Sequence, residues 1–340
     1  MKKMKILIFA PFGIGNVILL LPVLRTLKEK NIEFDILSFH GAVGNILDNW
    51  EEFAGLYKNH FHLGKSKLQI LKTIFAIRKR KYDVSVLSFP SAKFHYNVLS
   101  FICGAKRRVG SVYSDNSFKT LTFLNNTPYK VIENIHDTEQ NLNLIKKANI
   151  LNSGDYGIEK FPCKISTKSA NKIIGFHVGC SKNASYKRWD VKNWESVIHY
   201  LKENHPEYEL QFFFGGDEQD ELRFFETHSG IKIMKNLSLN QLKESISQCR
   251  LFLSNDSGLM HIAALCGVET ISVFGPSDEK RNAPFGERAI VLNSECEKRP
   301  CSHSYTIKSH KFNCKFPSKT CLDGVTPVNF IGKISNSLEC

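Results

Sequence analysis

From Lys5 to Ala10 the chain reads KILIFA, an apolar run too short for a buried helix and followed by a glycine-containing turn, which predicts a strand. Beyond Gly13, the apolar positions Val17, Ile18, Leu20, Leu21, Leu24 and Leu27 recur every three or four residues, so a helix follows at once. The same reading predicts a strand over 34–39, a helix over 66–80 and a strand over 82–89 that stops at Pro90 and Ser91. Strand, helix and strand in this order form the pattern of a parallel sheet wound with helices, a Rossmann-like unit.

Between about 152 and 168 the pattern dissolves into polar, Gly- and Pro-containing sequence of the kind that links domains. Then the alternation restarts. Strands are predicted over 172–178, 209–214, 251–254 and 270–274, and helices over 191–204, 240–249 and 258–266. With 340 residues, two hydrophobic cores are the expectation, and the layout gives an α/β protein with domains over 1–160 and 170–325 and a closing helix over 326–340. In doubly wound sheets ligands sit beyond the carboxyl ends of the strands, and this chain places its glycines and polar residues there.

Composition changes this picture little. Hydrophobic residues at 42% and charged residues at 23% are ordinary for a folded protein. The net charge of +13 narrows the partner rather than the fold, because a positive field attracts phosphates, nucleic acid or an anionic membrane. No basic element interleaved with stacking aromatics is present, so nucleic acid is not expected. The basic runs at 78–81 and 106–108 read as solvated helix ends. The first 24 residues resemble a secretion signal only superficially: Pro11, Gly13, Gly15 and Asn16 break the apolar stretch. No apolar segment approaches the roughly 18 residues of a membrane span, and a cytoplasmic protein is expected.

Of the ten cysteines, Cys103, Cys163, Cys180, Cys249 and Cys266 are scattered and read as core or free thiols. Cys296, Cys301, Cys314 and Cys321 crowd the tail with His303 and His310. Their spacing lacks the paired CxxC of a zinc site, so no metal is expected and structural zinc is the lesser reading.

The most informative stretch is 253–276, LSNDSGLMHIAALCGVETISVFGP. A strand there runs into the turn Asn255-Asp256-Ser257-Gly258, which opens a helix whose first amides suit a diphosphate, with His261 one turn on. An ordinary helix capped by Asp256 or Ser257 is the competing reading. P-loop, HExxH and GxSxG motifs are absent, and Gly13-x-Gly15 lacks the third glycine of the dinucleotide fingerprint.

The run from Asn255 to Asp278 resembles the donor-site signature of family 9 glycosyltransferases, the heptosyltransferase family, in which an Asp-Thr/Ser-Gly-x-x-His turn faces the nucleotide sugar. Gly175 to Ser181, followed by Lys187-Arg188-Trp189, resembles that family's strand, loop and Lys-x-Trp element. Gly13-Ile14-Gly15-Asn16 with Leu21-Pro22 resembles its opening loop and helix. The resemblance implies a GT-B fold, two Rossmann-like doubly wound domains facing across a cleft, acceptor-binding first and donor-binding second.

On the donor side it implies that Ser181 and Asn183 line the phosphates and that Lys187 offsets the charge of the departing diphosphate. Asp256, Ser257, Gly258 and His261 complete that site. Gly215 and Glu221, with Glu218 as competitor, occupy the nucleoside slot, where a carboxylate accepts from ribose hydroxyls. On the acceptor side it implies Gly13, Gly15 and Asn16. Position 16 departs from the family, which usually has an Asp read as general base; an amide orients but takes no proton near neutral pH, which leaves His40 or His95 as alternative bases.

By the same resemblance the donor is a nucleotide sugar, foremost ADP-heptose, transferred with inversion and without a required cofactor. The acceptor is an acidic lipid-linked core saccharide, reached by peripheral contact with the cytoplasmic face of the inner membrane. A GT-B nucleotide-sugar epimerase and a noncatalytic sugar-nucleotide or glycolipid binder are the rival classes.

Overall fold

The computed structural model describes residues 3–11, 13–91, 93–113, 117–151, 157–162, 171–301, 314 and 320–339. The chain divides into two compact units, one over Met1–Glu159 and the other opening at Lys160.

In chain order the first unit contains β1 (Ile6–Ala10), α1 (Ile14–Glu29), β2 (Asp35–Ser38), α2 (Gly41–Asn49), β3 (His60–His62), α3 (Lys67–Arg80), β4 (Val84–Leu87), α4 (Phe94–Cys103), β5 (Arg107–Val112), α5 (Ser117–Thr120), β6 (Thr127–Lys130) and α6 (Asp137–Lys147). The six strands form one sheet in the order β3-β2-β1-β4-β5-β6, all parallel; Leu7 of β1, for example, faces Asp35 on one side and Ser85 on the other. Every residue of β1, β2 and β4 is buried, as strands covered by helices on both faces require. α3 starts at a capping box, Ser66 Oγ accepting from the Gln69 amide while Gln69 Oε1 accepts from the Ser66 amide. The predicted elements fall in place with shorter strands, 82–89 contracting to Val84–Leu87 ahead of Pro90.

The second unit repeats the plan with β7 (Ile173–His177), α7 (Val191–Asn204), β8 (Glu209–Phe214), α8 (Gln219–Glu226), β9 (Lys232–Lys235), α9 (Leu239–Ser247), β10 (Leu251–Asn255), α10 (Gly258–Leu265), β11 (Glu269–Val273), α11 (Glu279–Asn282), β12 (Ala289–Leu292), α12 (Thr320–Asp323) and α13 (Pro327–Glu339). Its parallel sheet runs β12-β11-β10-β7-β8-β9. In both units the first strand lies beside the second on one side and the fourth on the other, so strand order reverses at β1/β4 and at β7/β10.

The second core is rich in aromatic rings. Phe176 and Phe212 stack at 4.3 Å, and Trp189 meets Trp194 edge-on at 5.0 Å. Phe330 of α13 lies 5.3 Å from both tryptophans, so the closing helix is part of this core. Burying rings of this size stabilises by about 1.5–3 kcal/mol each.

Most of the stretch read as a linker lies outside the described residues, but Phe161 within it is buried, donating its amide to Phe285 O and accepting from Glu287 N. Among the described residues no helix is long and apolar enough to cross a membrane.

Candidate active site

At the switch point of the second sheet, β7 and β10 release two loops side by side. Asn255, the last residue of β10, ties them together: its Nδ2 donates to Val178 O at 2.6 Å and its Oδ1 accepts from Trp189 N at 3.1 Å. His177, the last residue of β7, sits with Nδ1 2.7 Å from Ser257 Oγ and Nε2 3.5 Å from Glu218 Oε1. Ser257 is the N-cap of α10, yet its hydroxyl turns to His177 and makes no cap bond. The amides of the first turn are thus left without the side-chain acceptor an N-cap ordinarily supplies. Gly258 and Leu259 at this helix start are partly exposed, whereas Asp256, Ser257 and His261 are buried.

A 3-10 turn over Lys182–Lys187 leads out of the β7 loop, with Ser181 at its N-cap and the Cys180 thiol donating to Ala184 O. Three consecutive residues then anchor it. Lys187 Nζ donates to Asp256 Oδ2 at 2.7 Å, the lysine side chain 19% exposed and the aspartate 5%. Burial would lower the ammonium pKa, but the charge and hydrogen bond of Asp256 hold it above the ordinary lysine value. Burial would raise Asp256, but Lys187, Ser277 and His261 hold it below the usual carboxylate range. Arg188 Nη1 donates to both carboxylate oxygens of Glu221 at 2.7 and 2.9 Å, while Nη2 donates to Cys180 O and Asp217 O. Trp189 drops into the core and donates Nε1 to Val325 O at 2.9 Å.

Both acidic candidates after β8 are therefore engaged. Glu221 is held by Arg188. Burial would raise Glu218, but the bond and charge of His177 and the Gly215 amide, 2.7 Å away, keep its carboxyl below the usual range. A Cβ at Gly179 would stand 2.0 Å from Glu218 Cγ, which is why glycine occupies that position.

The structure thus brings Lys187, Asp256, Ser257 and Gly258 together at one strand edge, and Ser181, Asn183 and Gly215 are exposed on neighbouring loops. His177, Arg188 and Asn255 were not anticipated. Each forms hydrogen bonds between segments 33 to 80 residues apart, a relationship that local sequence spacing does not display.

In the first unit, Gly13 is the N-cap of α1, with Gly15 and Asn16 in its first turn, partly exposed. A Cβ at Gly13 would meet nothing within 4 Å. His40, the N-cap of α2, is exposed. His95 lies with its ring 4.3 Å from that of Tyr96, and partial burial, then Lys93 and His40, hold its pKa below the ordinary histidine value. Nearby, Asp48, His60, Ser38 and His62 form a hydrogen-bonded chain with links of 2.7, 2.7 and 2.9 Å that fixes the His62 ring at the end of β3.

Cys103, Cys180, Cys249 and Cys266 are buried; Cys163, His303 and His310 lie outside the described residues. Burial, then the neighbouring sulfurs of Cys296, Cys301 and Cys314, pushes the Cys321 thiol up to about 11. Among the described residues, no group of three or more His, Cys, Asp or Glu is placed to hold a metal ion.

Two parallel sheets of identical strand order, the second with a cationic side chain and a helix start converging on its switch point, are the architecture of the GT-B class. Comparison with known proteins makes the assignment narrower. The chain belongs to glycosyltransferase family 9, the heptosyltransferase family, whose model matches residues 70–311. It is 26% identical to lipooligosaccharide heptosyltransferase 2 of Campylobacter jejuni, over 99% of each chain. Among solved structures it resembles E. coli ADP-heptose LPS heptosyltransferase II, with 18% identity, a TM-score of 0.69 and 99% of each chain covered. An E. coli heptosyltransferase with ADP aligns at 16% identity and a TM-score of 0.70, over 98% of this chain and 100% of that one.

Proposed function

We propose that this protein transfers heptose from ADP-heptose to the core saccharide of a lipooligosaccharide or lipopolysaccharide, with inversion at the anomeric carbon. The observation that carries the reading is the Lys187–Asp256 pair at 2.7 Å beside the start of α10, in a chain of this family. The ADP in the E. coli structure and the heptosyltransferase relatives support this donor and acceptor.

In the reaction the acceptor hydroxyl attacks the anomeric carbon as the bond to the diphosphate breaks. Lys187 and the first amides of α10 offset the negative charge that gathers on the leaving phosphate. Asp256 positions the ammonium. Ser181 and Asn183 add hydrogen bonds to the phosphates, and the loop over Gly215 with the Glu218 and Glu221 carboxylates borders the nucleoside. The first unit takes the acceptor around Gly13, Gly15 and Asn16. Asn16 orients its hydroxyl, and a histidine among His40, His62 and His95 receives the proton. The acceptor's lipid places the work on the cytoplasmic face of a membrane.

The test is ADP release by the purified protein given ADP-heptose, with and without a delipidated core acceptor. Acceptor-dependent release with a heptosylated product is the expected result. Donor binding without release makes the protein a noncatalytic binder, and sugar conversion in the absence of acceptor makes it an epimerase. A rise in melting temperature with another nucleoside diphosphate but not ADP overturns the donor.

A further inference from the structure

α3 carries apolar side chains on two faces. Ile74 and Ile77 pack onto the first sheet with Leu7, Phe9 and Tyr82. Leu68, Leu71 and Phe75 point away from the core and are 62%, 63% and 72% exposed. A helix at the surface of a globular protein normally shows water a polar face, so this second stripe is what needs explaining.

Charge says what covers it. At about 100° per residue, Leu68, Leu71 and Phe75 fall within an arc of about 60°. Lys67 and Arg78 border that arc on one side, and Lys72 and Lys79 on the other. No acidic residue occurs in α3. Between Gly64 and Tyr113 the sequence holds eleven Lys or Arg and one acid, Asp83, which pairs with Lys106. The patch continues onto α4, where Arg78 Nη1 donates to Ile102 O and the exposed Phe101 ring lies 5.3 Å under the Arg108 guanidinium.

An apolar stripe between two rows of cations is complementary to a bilayer bearing anionic headgroups: the rings and branched chains enter the interface while the cations meet the phosphates. A second copy of the chain is a poorer match, since it would set two cationic borders against each other. We propose that the outer face of α3, extended by Phe101 and Ile102, is the surface by which this protein lies on an anionic bilayer. The proposal rests on the lipid-linked acceptor proposed above and locates the surface that reaches it.

The experiment is vesicle flotation, using phosphatidylcholine vesicles with and without phosphatidylglycerol. The full chain is expected to float with the anionic vesicles, to stay behind with the neutral ones, and to release in high salt. Leu71→Asp with Phe75→Asp, and separately Lys72→Glu with Lys79→Glu, are each expected to cut the bound fraction about tenfold. Both double variants should keep the parent melting temperature and the parent rate on a delipidated acceptor. The idea is overturned if the parent protein ignores anionic vesicles, or if both double variants float as it does. It is also overturned if light scattering shows a dimer that these substitutions dissociate while vesicle binding persists. Lost flotation with intact transfer to the soluble acceptor identifies the surface independently of the chemistry. Intact flotation without transfer overturns the enzyme reading and leaves the surface standing.

Discussion

Lys187 Nζ meets Asp256 Oδ2 at 2.7 Å, joining the loop after β7 to the turn after β10 at the point where strand order reverses. The ammonium retains further protons for a phosphate, and its carboxylate partner fixes where they are offered.

Removing the lysine therefore has two separable effects. Lys187→Ala is expected to lower turnover at least about 100-fold through lost stabilisation of the leaving diphosphate. It should also cost about 3 kcal/mol of stability, because Asp256, 5% exposed, is left as an unpaired buried charge. Lys187→Met combined with Asp256→Asn should recover most of that stability and none of the turnover. Urea unfolding and initial rates on the three proteins check both halves; full activity in Lys187→Ala would sink the assigned role.

The pair also sets a pH dependence. Asp256 titrates below its ordinary value, so its contribution is complete above the unfolded carboxylate range and is lost as pH falls through the lower folded value. Lys187 titrates above its ordinary value, so its contribution is complete below the unfolded lysine value and is lost as pH rises through the higher folded one. Stability from this pair is flat across neutral pH and declines at both extremes. Unfolding free energies measured against pH should lose part of the acid slope in the Lys187→Met, Asp256→Asn protein; an unchanged slope contradicts the assignment.

Arg188 is the next residue and makes a different bond. Its fork grips Glu221 through both oxygens and also serves two backbone carbonyls, a geometry lysine does not reproduce. Arg188→Lys is expected to cost about 2 kcal/mol. Because the Cys180 and Asp217 carbonyls belong to the loops proposed to border the donor, KM for the donor should rise more than kcat falls. Thermal melts and donor titrations measure this.

Asn16 is the residue that the resemblance implies for the acceptor side, at a position where it implies an aspartate. Asn16→Asp is expected to preserve or raise transfer and to add an acid limb to the pH–rate profile as the new carboxylate loses its charge. A large loss of rate would show that the amide itself orients the acceptor.

What was legible in the sequence follows from range. The turn before α10 announces itself, since Asp256, Ser257 and Gly258 sit between a strand that opens on Leu251, Phe252 and Leu253 and a helix. β1, β7 and β10 read as apolar runs because each is central in its sheet. β6 and β9 do not: they are edge strands of four residues, TPYK with a proline and KIMK with lysines at both ends. The hydroxyl of Ser257 was legible as a cap and is spent on His177 instead, because that histidine lies 80 residues away. The periodicity of α3 was legible as a helix, but periodicity alone does not say which of two apolar stripes meets the core.

Trp189 hangs from Val325 O and leans on Phe330, two positions after Lys187, the lysine proposed to meet the diphosphate. The closing helix is consequently a splint for the loop proposed to hold the donor. Trimming the chain before Pro327 would slacken a residue more than a hundred positions upstream, and a fault introduced at the far end of the polypeptide would surface as a weaker grip on nucleotide.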